Sequence, residues 1–159
     1  MIITDDRIQD FINEKKILSK DFHPVFKDKL GHKVFEKEVL GEEGNTYKII
    51  IRQSKINPLD FSVIFGIVIE GQIFRIRRYN GDSHDHTNKI EEELIEGFHI
   101  HKATQRYQER GFREEGFAEK STRYSDWSTA LKVMLRENNF QLEVPKDQTR
   151  VIKWNKTQF

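Results

Sequence analysis

The run Phe61-Ser62-Val63-Ile64-Phe65-Gly66-Ile67-Val68-Ile69 constrains this chain more than any other feature. It is far too short to cross a bilayer. It is also too continuously apolar to lie half in water. Bounded by Asp60 and by Glu70-Gly71, it reads as a strand covered on both faces, at the centre of a sheet. Such a strand needs partners, and the flanking sequence supplies them. His32 to Leu40 and Thr46 to Gln53 enclose Gly41-Glu42-Glu43-Gly44-Asn45, a turn-rich segment of the hairpin kind. Asn57-Pro58 breaks the chain before the apolar run, and Glu70-Gly71 turns it tightly into Gln72 to Asn80. Four strands joined by short turns predict an antiparallel meander, with Gly97 to Lys102 as a fifth short strand.

Helical signals sit at the two ends. Thr4 can cap a helix over residues 4–16, with Asp5 and Asp6 placed favourably against its dipole and Ile8, Phe11 and Ile12 on one stripe. Residues 17–32, with Pro24 and Gly31, read as an irregular connection. Residues 81–96 are polar and acidic and read as an exposed loop or ribbon. From 103 to 140 the chain turns helical, with Gly111 as a stop. Its best helix has Ser125 as cap and Trp127, Ala130, Leu131, Met134 and Leu135 on one face. Residues 149–154 can add an edge strand. The expectation is one α+β domain over 1–159, a curved antiparallel sheet of about five strands with helices packed on one face.

Composition narrows the setting. The chain has 159 residues and no cysteine, which excludes disulfides, thiolate nucleophiles and cysteine-held zinc and predicts a cytoplasmic home. The Met1-Ile2-Ile3-Thr4-Asp5-Asp6 start is acidic where a signal peptide is basic, and no membrane partner is expected. A formal net charge of +1 gives no global field toward nucleic acid. Any anion binding must come from a local patch.

That patch is predicted between Arg75 and Arg106. His84 and His86, then His99 and His101, have i, i+2 spacing, which in a strand puts each pair on one face. Alternation with Phe98 and Ile100 predicts that His99 and His101 project together from an exposed face. By the same parity Arg75, Arg77 and Tyr79 share a face of the preceding strand, and Lys102 and Arg106 follow nearby. Three readings fit. In the first, Arg75, Arg77, Lys102 and Arg106 hold phosphate, Tyr79 or Tyr107 stacks on a base, and the histidines are acid and base in metal-independent phosphodiester cleavage. In the second, His84, His86, His99 and His101, with Asp85, ligate zinc or manganese. In the third, the histidines are solvated and the arginines pair with Glu91, Glu92, Glu93 or Glu96. Phosphate is favoured over metal because the nearby positive charges repel a cation. No cofactor is then required. A non-catalytic nucleic-acid- or protein-binding module would use the same residues.

Arg78-Tyr79-Asn80-Gly81, His84-Asp85-His86 and His99-Ile100-His101-Lys102, in this order, resemble the pattern of TumE-type bacterial toxins. The stretch from Ala103-Thr104-Gln105-Arg106-Tyr107 to Phe140 is similar to a small domain family of bacteria and their phages. The resemblance covers about residues 73–140. It implies a toxin-antitoxin or phage-defence setting and an antitoxin or other protein partner that masks the active surface. Taken with the first reading of the site, the expectation is a toxin-like protein that acts as a ribonuclease on RNA or on another phosphodiester.

Overall fold

The computed structural model describes residues 1–144. In chain order it contains α1 (Asp5–Asn13), β1 (Lys16–Leu18), β2 (Lys27–Lys29), β3 (His32–Leu40), β4 (Thr46–Ser54), β5 (Phe61–Ile69), β6 (Gln72–Asn80), β7 (His86–Asn88), β8 (Glu93–Ile95) and β9 (His99–Lys102). Then follow α2 (Gln105–Glu109), β10 (Phe117–Lys120), α3 (Trp127–Glu137) and β11 (Phe140–Leu142). The edge strand expected at 149–154 lies outside the described residues.

The meander forms as the turns predict. β3, β4, β5 and β6 pair in sequence, all antiparallel. At Glu70-Gly71 both residues have positive φ, 52° and 78°, the geometry of the two-residue turn whose twist matches a hairpin. The sheet is larger than expected: seven strands rather than about five, in the order β10-β9-β6-β5-β4-β3-β2, and not closed. The extra strands come from stretches read as connection and as helix. β2 extends the meander by a hairpin through Leu30-Gly31, and β10 pairs with β9 along Lys102 to His99. β1 and β11 form a separate parallel pair that joins the two ends of the described chain.

Strand alternation assigns the faces. Tyr47, Ile49 and Ile51 of β4 and Val63, Phe65 and Ile67 of β5 point into one core. Ile8, Phe11 and Ile12 of α1 and Ala130, Leu131, Met134 and Leu135 of α3 belong to the same cluster. Thr4 caps α1 as its sequence predicts, accepting from the Arg7 amide. The cap of α3 is Asp126 and not Ser125. Its carboxylate accepts from Thr129 N–H, and the Thr129 hydroxyl closes a reciprocal box. No helix among the described residues is long and apolar enough to cross a membrane.

Candidate functional site

The opposite face of the sheet carries the chemistry, and a β-bulge decides which residues reach it. β5 and β6 pair Phe65 with Arg77 but Gly66 with Arg75, so Ile76 is an extra residue on β6. Simple alternation would put Arg75, Arg77 and Tyr79 together. The inserted residue instead leaves Arg77 and Tyr79 beside Phe65 and Val63, on the core side. Arg75 and Arg78 share the other face. The expected Arg75–Arg77 pair therefore does not exist as a surface. Tyr79 is fully buried, its hydroxyl donating to Glu137 at 2.8 Å and accepting from Asn138 at 3.1 Å, so it cannot stack on a base.

Across the strands, register sets two rows on this open face. One runs Arg52, Ser62, Asn80, His99 and the next Ile50, Ile64, Arg78, His101. A groove of about 590 Å³ crosses them, with Arg52, Arg75, Arg78 and Arg113 in its wall. Three of these arginines surround Glu115, which is completely buried. Its carboxylate lies 3.3 Å from Arg78 Nε, 3.4 Å from Arg113 Nε and 3.9 Å from Arg75 Nε. Neither carboxylate oxygen has a well-aligned hydrogen bond, and Arg78 Nε is likewise left without one. Glu114 accepts from the Arg75 backbone amide at 3.1 Å. Arg52 is exposed and has no ion-pair partner among the described residues. Burial pulls the Arg78 pKa below its usual value. Glu115 opposes that, while Arg113, Arg75 and Arg52 add to it. Positive charge exceeds its internal compensation here, which is the condition for holding an anion.

At one end the groove opens into a recess of about 190 Å³ lined in part by Arg52, Ser62, Arg78, Asn80, His86 and His101. Three of the four predicted histidines converge beside it. The ring centroids of His86 and His101 are 4.4 Å apart and those of His99 and His101 4.9 Å. His84 is exposed on the recess lip. His99 and His101 do share a face, opposite Ile100, but that face is covered. Each is only 2% exposed, against the expectation of an exposed pair. The cover is the β7–β8 hairpin, whose His86 lies against both, together with the segment before β10.

Hydrogen bonds fix the protons. His101 Nδ1 meets the Glu115 carbonyl at 2.9 Å, His99 Nδ1 the Gly97 carbonyl at 2.8 Å, and His86 Nε2 the Gly116 carbonyl at 2.7 Å. A carbonyl only accepts, so each of these nitrogens carries hydrogen and the other nitrogen is a bare acceptor in the neutral ring. His99 Nε2 faces the Asn80 amide nitrogen at 3.5 Å, and the Asn80 oxygen accepts from Ser62 at 2.8 Å. His101 Nε2 has no partner among the described residues. Burial, with Arg78 and the two neighbouring histidines adding to it, drives the His101 pKa down to about 2, and burial lowers that of His99. Both rings are neutral at physiological pH.

The remaining predicted residues stand apart. Lys102 shares the register of Arg77 and pairs with Glu119 at 2.8 Å. Arg106 pairs with Glu91 and lies over the Tyr107 and Phe117 rings. Neither lines the groove or the recess. Among the described residues no set of three or more His, Cys, Asp or Glu side chains is disposed to hold a metal ion. Sequence reasoning missed Arg52, Arg113 and Glu115. Arg52 could have been found, because Thr46, Lys48, Arg52 and Ser54 alternate with the buried Tyr47, Ile49 and Ile51 along β4, whereas the other two come from a loop whose path over β6 has no local signal.

Fold and site together define an α+β protein with an arginine-walled groove on an open sheet face. Comparison with family models, with curated proteins and with solved structures returned no match, and the groove is read from its own chemistry.

Proposed function

We propose that this protein binds a phosphate-bearing ligand, RNA or another phosphodiester, in the arginine groove. The observation that carries the reading is three guanidinium groups gathered around one buried carboxylate, with a fourth, Arg52, in the same groove and lacking a partner among the described residues. Guanidinium forks match phosphate oxygens in pairs. An incoming phosphate would supply the charge that Glu115 and Glu114 do not.

Binding is better supported than a His99/His101 acid–base cycle. Such a cycle needs one protonated imidazole, and burial keeps both rings neutral. In the toxin-antitoxin setting that the resemblance implies, this groove is the surface an antitoxin would mask.

The test is binding of labelled RNA by purified protein across a salt series, with turnover followed in the same samples. Affinity should fall steeply with salt. Arg52→Ala should weaken binding about tenfold or more, the usual scale for a charged hydrogen bond, and flatten the salt slope. Arg52 is exposed, so this change leaves folding intact. Unaltered affinity and salt slope in Arg52→Ala would refute the groove. Efficient cleavage that survives chelator would restore histidine chemistry.

A further inference from the structure

The groove is not uniformly polar, and phosphate alone has no use for the rest of it. Between the arginines its floor is aliphatic: Val34 of β3, Ile50 of β4 and Ile64 of β5 are each half-buried, and Leu30 stands at the rim with 97% of its surface exposed. Those residues occupy positions on the sheet face away from the core, where alternation would ordinarily place polar side chains.

The recess at the other end has the opposite character. Asp60 and Asp85 line it with carboxylates, and His101 brings an unpartnered Nε2. These are acceptors, suited to hydroxyl groups. The groove and the recess share Arg52, Ser62 and Arg78. A phosphate held by Arg52 and Arg78 is therefore flanked by an apolar shelf on one side and by hydroxyl acceptors on the other.

Size separates the two compartments further. About 590 Å³ falls within the usual range for a small-molecule site and accommodates a base with its sugar. About 190 Å³ takes a sugar and not a base as well.

Resting on the phosphate reading above, we infer that the ligand is single-stranded RNA, with one unstacked base on the Val34–Ile50–Ile64 shelf, the following phosphate between Arg52 and Arg78, and the next ribose in the recess with a hydroxyl donating to His101 Nε2. A base inside a duplex cannot reach the shelf without leaving its stack, and a deoxyribose lacks one of the hydroxyls that the recess accepts. The same acceptors explain why the recess is not simply an extension of the cationic groove. Carboxylates there would repel a second phosphate.

The inference is tested with a short single-stranded RNA, the DNA of the same sequence, the same RNA as a duplex, and inorganic pyrophosphate as competitor. Single-stranded RNA should outbind the DNA by about 2- to 10-fold, the scale of one hydrogen bond, and should outbind the duplex. His101→Phe should shrink the RNA-over-DNA ratio, which a lower fraction of folded protein would leave unchanged. Leu30→Ser, at a fully exposed site, and Ile64→Thr should weaken RNA binding several-fold without changing the competing strength of pyrophosphate. Equal affinity for RNA and DNA, or for single strand and duplex, overturns this inference. If Arg52→Ala still weakens every probe, the phosphate groove survives that failure. If Arg52→Ala weakens none, both fall together.

Discussion

His101 shows how far one side chain's setting departs from its spacing. With a pKa drawn down to about 2 by burial, it stays neutral in the folded protein while the unfolded chain protonates near 6.5. The unfolded state therefore binds more protons below pH 6.5, and stability is lost as pH falls from there toward 2. His99, also lowered, acts in the same direction. Each contributes a slope of up to about 1.4 kcal/mol per pH unit. Denaturation midpoints measured at pH 7 and pH 5 should show marked acid sensitivity, reduced in His101→Gln. An unchanged pH dependence in that variant would mean the ring is protonated in the fold. The spacing of the histidines revealed their shared face but not their burial, because the cover comes from the adjacent β7–β8 hairpin, polar enough to read as exposed, and from residues 115–116 beyond α2. Arg75 and Arg77 failed for a different reason. Their alternation is regular in the sequence, and only pairing with Gly66 reveals the extra residue between them.

At the scale of elements, the β7–β8 hairpin was written in the sequence only as polarity. Its docking rests on hydrogen bonds and not on an apolar stripe, so hydrophobic periodicity could not find it. Asn88 is fully buried and grips the outer edge of β10, donating to the Ala118 carbonyl and accepting from its amide, both at 2.8 Å. That covers an edge strand that would otherwise offer free backbone groups. Asn88→Ala should cost about 1–3 kcal/mol for the backbone groups left unsatisfied, and the Ala118 amide should lose hydrogen-exchange protection. Protection equal to wild type would show that the edge is not held this way. α3 was legible because its stripe is regular, yet the weight within it is redistributed. Trp127 begins the helix, is half-buried and meets Phe26 edge-on, whereas Met134 is fully enclosed. Met134→Ala should cost about 2–5 kcal/mol, and Trp127→Ala less than the 3–5 kcal/mol of a fully buried aromatic truncation. Urea denaturation of the two variants side by side checks the order.

For the molecule as a whole, the buried polar groups outside the groove shape a second pH response. Lys16 is completely enclosed, donating to the carbonyls of Ile12, Glu14 and Asn138 at 3.0, 2.7 and 2.6 Å, with the Tyr47, Phe65 and Phe140 rings around it. It ties the end of α1 to the end of α3. Burial lowers its pKa to about 7, against the pull of Glu14. Between pH 7 and 10.5 the unfolded chain thus holds the extra proton, and stability rises with pH through that window. Burial raises the pKa of Tyr47, Tyr79 and Tyr124, so above about pH 10 only the unfolded state ionises them and stability falls again. Thermal midpoints should climb from pH 7 toward 10 and then drop, and Lys16→Met should abolish the climb. A flat profile in the parent protein would contradict the burial of Lys16.

The single inserted residue at Ile76 has a consequence for inheritance. Arg75 and Arg78 are three positions apart in sequence yet share a face, because Ile76 takes no place of its own in the pairing. An in-frame deletion of Ile76 would leave them two positions apart, opposite Gly66 and Ile64 and still on one face, with only the bulge and one core side chain lost. Three positions without a bulge would instead send the two arginines to opposite sides of the sheet. Descendants that keep the groove can therefore carry either spacing, two positions with a regular strand or three with a bulged one, and an alignment gap at this point is no sign that the chemistry has gone.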